Sequence, residues 1–198
     1  MSGAAVDRVW LLPDEAVPVR LMATIWADVN GVHDELGASD DVDAWLDAVG
    51  IDRSGDQSTA AELALARQLR DAVRRLAAQV TGDDRRAAQC ASCDVDTAVR
   101  DLNDVVTHLP VPQLALTDGV LRESSSCDSS AVTAGLARVA QESIALLGGP
   151  DAAKLRACYA PGCVLYFVKT HPRREWCSVA CGNRARAARH YEKVRSTR

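Results

Sequence analysis

Four cysteines near the C-terminal end of the 198-residue chain have the residue type and spacing that metal binding needs. They form a Cys-x4-Cys pair, Cys158 and Cys163, followed after thirteen residues by a Cys-x3-Cys pair, Cys177 and Cys181. Zn²⁺ prefers four tetrahedral thiolates with sulfur about 2.3 Å from the metal, and a catalytic zinc ion keeps an open position, usually beside His or carboxylate ligands. The two pairs therefore predict a structural zinc site. The competing interpretation, four buried free thiols, is disfavoured by the paired spacing.

The residues around these cysteines predict how the chain positions the sulfur atoms. Pro161-Gly162 predicts a tight turn inside the first pair, and residues 164–168, which are apolar, β-branched and aromatic, predict a strand. A helix is expected over Ser178–Arg195, and Cys177 and Cys181, four residues apart, share one face of its first turn. A turn, a hairpin and then a helix is the order of a treble-clef-like or zinc-ribbon-like finger.

The predicted last helix is strongly basic. Residues 154–198 hold eleven Lys or Arg against two acids, a balance of +9, whereas residues 1–153 hold twelve against twenty-five, a balance of −13. Only the C-terminal part therefore suits a polyanion. Arginine forks bind phosphate bidentately, and a basic helix fits the DNA major groove. The predicted nucleic-acid contacts are Arg173, Arg174, Arg184, Arg186, Arg189, His190, Lys193 and Arg195.

Alternatives to DNA binding stay open. Arg184 either contacts nucleic acid or neutralises the formal charge of −2 that four thiolates leave on Zn²⁺. The finger as a whole is alternatively an RNA-binding or protein–protein adaptor, in which zinc is purely structural. RNA readers stack bases on exposed aromatic rings, for which Tyr159, Tyr166 and Tyr191 are the candidates. DNA is the favoured partner, with homodimerisation through the N-terminal part, because a small finger buries little nucleic-acid surface.

The N-terminal part predicts a mainly α fold of the α+β class. Five helices are expected, over residues 19–33, 40–49, from the Thr59-x-x-Glu62 capping box to Gly82, 94–109 and 130–147. Thr117-Asp118-Gly119 predicts a short β-hairpin within residues 114–122, and the Ser-rich residues 123–130 predict a loop. Gly148-Gly149-Pro150 marks the boundary between domains 1–149 and 151–198. We expect each domain to have its own core.

No constellation of residues predicts an enzyme: the sequence has no evident nucleophile–base pair, Gly-rich phosphate loop or carboxylate pair. Asn30-Gly31 followed by His33 favours a helix end, and a small-ligand site at Asn30 and His33 is the open alternative. Catalytic residues are therefore expected to be absent.

The other three cysteines and the apolar content bear on compartment. Cys90, Cys93 and Cys127 are interpreted as incidental thiols, since they lack a second pair or a βαβ context. No apolar run approaches the roughly 20 residues of a membrane span, and no secretory signal begins the chain. We expect a cytoplasmic protein with no membrane partner.

The C-terminal part resembles the CGNR zinc finger. The resemblance rests on Cys158-Tyr-Ala-Pro-Gly-Cys163, Phe167, Arg174-Glu-Trp-Cys177-Ser178 and Cys181-Gly-Asn-Arg184. The N-terminal part resembles the ABATE domain through Asp28-Val-Asn30, Trp45-Leu46, Leu102-Asn103 and Pro112-Gln113-Leu114. Together these resemblances imply a transcription regulator linked to stress responses, with a nucleic-acid-binding finger. They name no target sequence, inducing signal or effector.

Overall fold

The computed structural model describes residues 10–85, 94–126 and 129–196. This described part contains six α-helices and three two-stranded antiparallel sheets. In chain order the α-helices and strands are α1 (Val17–Met22), β1 (Ile25–Asp28), β2 (Gly31–Asp34), α2 (Ser39–Ala48), α3 (Ala60–Thr81), α4 (Val95–Val106), β3 (Val111–Thr117), β4 (Val120–Ser126), α5 (Ala131–Gly148), β5 (Leu155–Ala157), β6 (Tyr166–Val168) and α6 (Val179–Ser196). A short 3-10 helix, Pro150–Lys154, connects α5 to β5. The mainly helical fold with small hairpins is as predicted.

The central helix α3 has the ends that the sequence predicts. The Thr59 hydroxyl accepts the Glu62 backbone N–H at 3.2 Å, and the Glu62 carboxylate accepts the Thr59 backbone N–H at 2.7 Å. This reciprocal capping box satisfies two amides at the start of the helix. Gly82 ends the helix in the left-handed region, with φ +63°, which costs a glycine little.

The helices α2, α4 and α5 also lie where the sequence predicts them, within three residues at each end. Asp94 begins α4 by accepting the Thr97 backbone N–H at 2.8 Å, and Ser130 begins α5 by accepting that of Thr133 at 3.1 Å. Short polar side chains at these positions replace the missing intrahelical acceptors.

The helix predicted over residues 19–33 is wrong beyond Met22. The chain instead forms the hairpin β1–β2, in which Trp26 pairs with His33. The Asp28 carboxylate accepts the Asn30 backbone N–H at 2.7 Å, and Gly31 adopts φ +129°, which residues with side chains rarely adopt. His33 therefore belongs to a strand and not to a helix end.

The second predicted hairpin is present and longer than expected. Strands β3 and β4 are joined by Asp118 and Gly119, both with positive φ (52° and 74°), as the type I′ turn requires. The loop predicted over residues 123–130 is wrong for Glu123 to Ser126, which pair with residues 111–114 of β3. Paired backbone groups outweigh the turn preference of serine here.

The main apolar core surrounds α3 and is made of side chains from both parts of the chain. Helices α1, α2, α4 and α5 pack on α3. Leu155, Ala157 and Tyr166, from β5 and β6, belong to the same buried cluster as the helical residues. A second buried cluster contains the four cysteines, Leu165 and Phe167 of the finger, together with Ala23 of the helical part. The finger therefore has a buried cluster of its own and also contributes to the main core, and the division at residue 149 remains a prediction.

Among the described residues no helix is both long enough and apolar enough to cross a bilayer. A location in the cytoplasm remains a prediction.

Candidate metal centre

The first cysteine pair flanks a tight turn between β5 and β6. Gly162 takes φ +72° in this turn, and the Cys163 backbone N–H donates to the Ala160 carbonyl at 2.9 Å. The Cys158 backbone N–H donates to the Leu165 carbonyl at 2.9 Å and closes the hairpin above the turn. Glycine after proline lets the backbone reverse here without a Cβ penalty.

The second pair comes from the start of α6. Cys177 lies just before the helix and Cys181 in its first turn, where the Cys181 backbone N–H donates to the Ser178 hydroxyl at 3.2 Å. A spacing of four residues at a helix start directs both sulfur atoms to one side.

The two pairs converge on one point. The four Sγ atoms all lie within 4.8 Å of one another, with 3.8 Å between those of Cys163 and Cys177 and 3.4 Å between those of Cys177 and Cys181. A tetrahedral ion with sulfur ligands at about 2.3 Å spaces its sulfur atoms by about 3.8 Å. All four side chains are buried. Both the donor set and its spacing fit Zn²⁺.

The four thiols perturb one another's pKa values. Hydrogen bonds within the cluster lower the pKa of Cys158 to about 6 and also lower the pKa of Cys181, whereas they raise the pKa values of Cys163 and Cys177. The Arg184 guanidinium donates to the Cys181 sulfur at 3.1 Å. Of the two roles open to Arg184, the contact with the cysteine cluster is the one present in the structure, since a cation beside a thiolate offsets its charge.

Arg174 has a structural environment, although the sequence placed it among the nucleic-acid contacts. Its guanidinium donates to the backbone carbonyls of Val168 at 3.0 Å and Cys177 at 2.9 Å, and it pairs with Glu15 at 2.5 Å. It also lies over the Phe167 ring, 4.9 Å from the centroid. These partners hold Arg174 against the finger, and a contact between Arg174 and nucleic acid remains a prediction.

Arg85, which was not predicted as a site residue from the sequence, lies after α3 and hydrogen-bonds to the backbone of the turn between Cys158 and Cys163. Its Nη1 donates to the carbonyls of Cys158 at 2.9 Å and Cys163 at 2.8 Å. Its other donors form a bidentate pair with Asp83, whose side chain is 0% exposed, and its guanidinium lies 4.5 Å from the Tyr159 ring centroid.

Arg74 makes a second connection from α3 to the finger. This buried side chain donates to the Met22 carbonyl at 2.9 Å and the Val164 carbonyl at 3.2 Å. Tyr166 adds a third connection through its hydroxyl, which donates to Asp83 at 3.2 Å. The signal available in the sequence was weak: arginines on the inner face of an amphipathic helix, with no indication of their distant partners.

The remaining basic residues lie on the outside of α6 or in the turn before it. Only Cys181, Gly182 and Ala185 of α6 are buried. The exposed basic side chains predicted to meet nucleic acid are those of Arg173, Arg186, Arg189, His190, Lys193 and Arg195. Beyond Ala185 the helix therefore projects from the core with basic residues along its exposed surface.

Asn30 and His33, the predicted small-ligand residues, lie on the exposed hairpin β1–β2. Asp28 accepts from Asn30 Nδ2 at 3.2 Å and lies 2.9 Å from His33 Nε2, while the His33 ring stacks on Trp26 with centroids 4.1 Å apart. Their hydrogen bonds are thus made within the hairpin, and a ligand role for them remains a prediction. Cys90, Cys93 and Cys127 fall outside the described residues.

A helical body joined to a hairpin-and-helix unit with four converging cysteines defines the class as a protein with a four-cysteine zinc finger. Two family models match the chain: ABATE, described as "Putative stress-induced transcription regulator", over residues 15–150, and the CGNR zinc finger over residues 154–194. The chain belongs to the ABATE family and ends in a CGNR zinc finger. Neither description is that of an enzyme. No curated protein is similar enough in sequence to match the chain.

Proposed function

We propose that the protein is a zinc-dependent transcription regulator that binds DNA through α6, while the helical part senses a stress-related signal or dimerises. Cys158, Cys163, Cys177 and Cys181 would hold one Zn²⁺ as a closed, structural site. The ion supplies folding free energy and has no open position for chemistry. The family description and the donor set support this assignment.

The observation that carries the proposal is the exposed basic surface of α6. Two of the eight predicted contacts, Arg174 and Arg184, are engaged with the finger itself, which leaves five exposed Lys or Arg and His190. The acidic remainder of the chain, with a balance of −13, disfavours nucleic acid elsewhere. Contact with DNA is therefore expected to be confined to α6 and the turn before it.

An RNA-binding or protein adaptor is the alternative, and the tyrosines bear on RNA binding. Tyr166 is 1% exposed, and the Arg85 guanidinium lies against the ring of Tyr159. Tyr191, on α6, is 74% exposed, and Tyr159 is 55% exposed with one ring face against Arg85, so two of the three tyrosines offer surface for stacking. Single-stranded RNA readers commonly use several exposed rings. Competition between duplex DNA and single-stranded RNA separates the two functions.

The test is the salt dependence of DNA binding by the zinc-loaded protein. Replacing Arg186, Arg189 and Lys193 together with Gln should lower the slope of log K against log salt by about 2–3, because each phosphate that a side chain neutralises adds about 0.9 to that slope. The zinc content should not change, because all three residues follow Cys181 on the exposed part of α6, and the hydrogen bonds described for Arg186 and Arg189 go to Asn183 and Ala185. Equal affinity of parent and triple variant at every salt concentration would contradict the proposal.

A matched control carries the same loss of charge on the helical part. Arg75, Arg100 and Arg138 belong to α3, α4 and α5, and replacing them with Gln also removes three positive charges. This control should keep the parent slope. A fall in slope as large as that of the α6 variant would mean that net charge, and not α6, determines binding.

A further inference from the structure

The hairpin β3–β4 carries an unusual amount of exposed apolar surface. Leu114, Leu116 and Leu121 are 72%, 70% and 64% exposed. Among the described elements, β3 and β4 pair with each other and have no other extensive packing partner. An isolated two-stranded hairpin is only marginally stable in water, so a projecting one gains from a covering surface.

The three leucines share one face of this hairpin. Leu116 pairs with Leu121 across the two strands, and Leu114 pairs with Glu123. Residues that pair directly, and residues two apart on one strand, project to the same side of the sheet, so the three leucines lie on one side. Together the leucines offer roughly 400 Å² of apolar surface, comparable to the largest patch on a typical monomer. We call the surface made by Leu114, Leu116 and Leu121 the leucine face.

We propose that the leucine face packs against the leucine face of a second copy of the chain, forming a two-fold symmetric dimer. A self-complementary patch is what a two-fold interface requires. Two leucine faces packed together bury roughly 800 Å² of apolar surface. The smallest stable interfaces bury about 1,200 Å² in total, of which roughly 65% is apolar, so the two areas are similar. This inference names the dimer surface of the proposed function and in that respect rests on it.

The charge of the hairpin disfavours nucleic acid as the occupant of the leucine face. Residues 111–126 contain one cation, Arg122, against Asp118 and Glu123. A net charge of −1 gives no attraction to phosphate. Strand addition at β3 is also disfavoured, because Pro112 has no backbone N–H to donate. Face-to-face packing of the leucine side chains is therefore the mode that the exposed apolar surface favours.

The experiment measures the mass of the full-length zinc-loaded protein in solution by light scattering. The protein concentration runs from about 1 to about 100 μM, because the dissociation constant of a modest interface is expected to lie in this range. At the highest concentration the protein should have twice the 21.2 kDa mass of one chain. Leu116→Lys, and separately Leu114→Lys, should reduce this to the mass of one chain with unchanged helix and zinc content. Val32→Lys, at a 65% exposed position of the other hairpin, should remain a dimer.

Two results would overturn the proposal: a single-chain mass for the parent at every concentration, or a dimer that persists in both leucine variants. The first would also be the result if a different protein covers the leucine face. DNA binding separates this inference from the proposed function. A dimer that fails to bind DNA contradicts the proposed function alone, and a monomer that binds DNA contradicts the dimer alone.

Discussion

Replacing Arg85 with alanine tests whether the helical part and the cysteine cluster form one cooperative unit. Arg85 donates to the carbonyls of both cysteines of the first turn and neutralises Asp83, which is fully buried. Burial alone would raise the pKa of Asp83, but hydrogen bonds and charge from Arg85 hold that pKa below its ordinary value. The pair then stabilises the fold above the ordinary Asp pKa and loses that contribution as the pH falls through the lowered pKa. At pH 7 the full contribution is present.

The expected cost follows from what the substitution leaves behind. Removing one member of a buried ion pair costs about 3–5 kcal/mol, because the other charge stays buried. The Arg85 side chain is 25% exposed, so water can partly replace it and we expect the low end, about 3 kcal/mol. For a chain of this size that corresponds to a fall in Tm of roughly 6–12 °C. Because Arg85 supports the backbone of two ligands, zinc affinity should fall about 10-fold.

The assay is thermal unfolding at pH 7 together with competition for zinc by a chromogenic chelator. Arg100→Ala is the matched control, because Arg100 is exposed on α4, where its guanidinium donates to the Thr97 hydroxyl and lies near Asp94, far from the cysteine cluster in sequence. Adding Asp83→Asn to Arg85→Ala should restore part of the loss, since it removes the unpaired charge and keeps an acceptor for Tyr166. Unchanged Tm and unchanged zinc competition in Arg85→Ala would refute this reasoning.

Two further predictions follow from the same structure. Chelation of zinc should lower amide-exchange protection in α3 as well as in the finger, because Leu155 and Tyr166 belong to the α3 core; full protection of α3 in the chelated protein would mean that the two parts fold independently. The free energy of unfolding of Gly182→Ala should be about 1 kcal/mol lower than that of Gly148→Ala. A Cβ at residue 182 would lie 3.1 Å from Trp176, whereas residue 148 has open space. Equal urea midpoints for the two variants would contradict this.

Local chemistry explains which elements could be predicted from the sequence. The capping box at Thr59 and Glu62, the Asp118-Gly119 turn and the spacing of the four cysteines each act over a few residues, so the pattern alone determines the local structure. The failure at residues 19–33 has the same origin. Apolar residues at helical spacing outweighed Asn30-Gly31 in the interpretation, although that dipeptide is a strong hairpin signal.

What the sequence could not predict is the set of long-range connections to the finger. Arg174 reads as one more basic residue near a basic helix, and only the folded chain brings Glu15 to it. Arg85 lies 73 residues before Cys158, and nothing in its neighbourhood indicates that it donates to that carbonyl. Partners this distant in sequence depend on how β5 and β6 dock on α3, which spacing and composition do not encode.

The measurement that tests the central claim most directly is the zinc content of purified, tag-free protein by elemental analysis. The account predicts one zinc ion per chain, reduced to none in Cys177→Ser, with loss of α6 in that variant. Protein that contains no stoichiometric zinc while residues 154–196 remain folded would contradict the account.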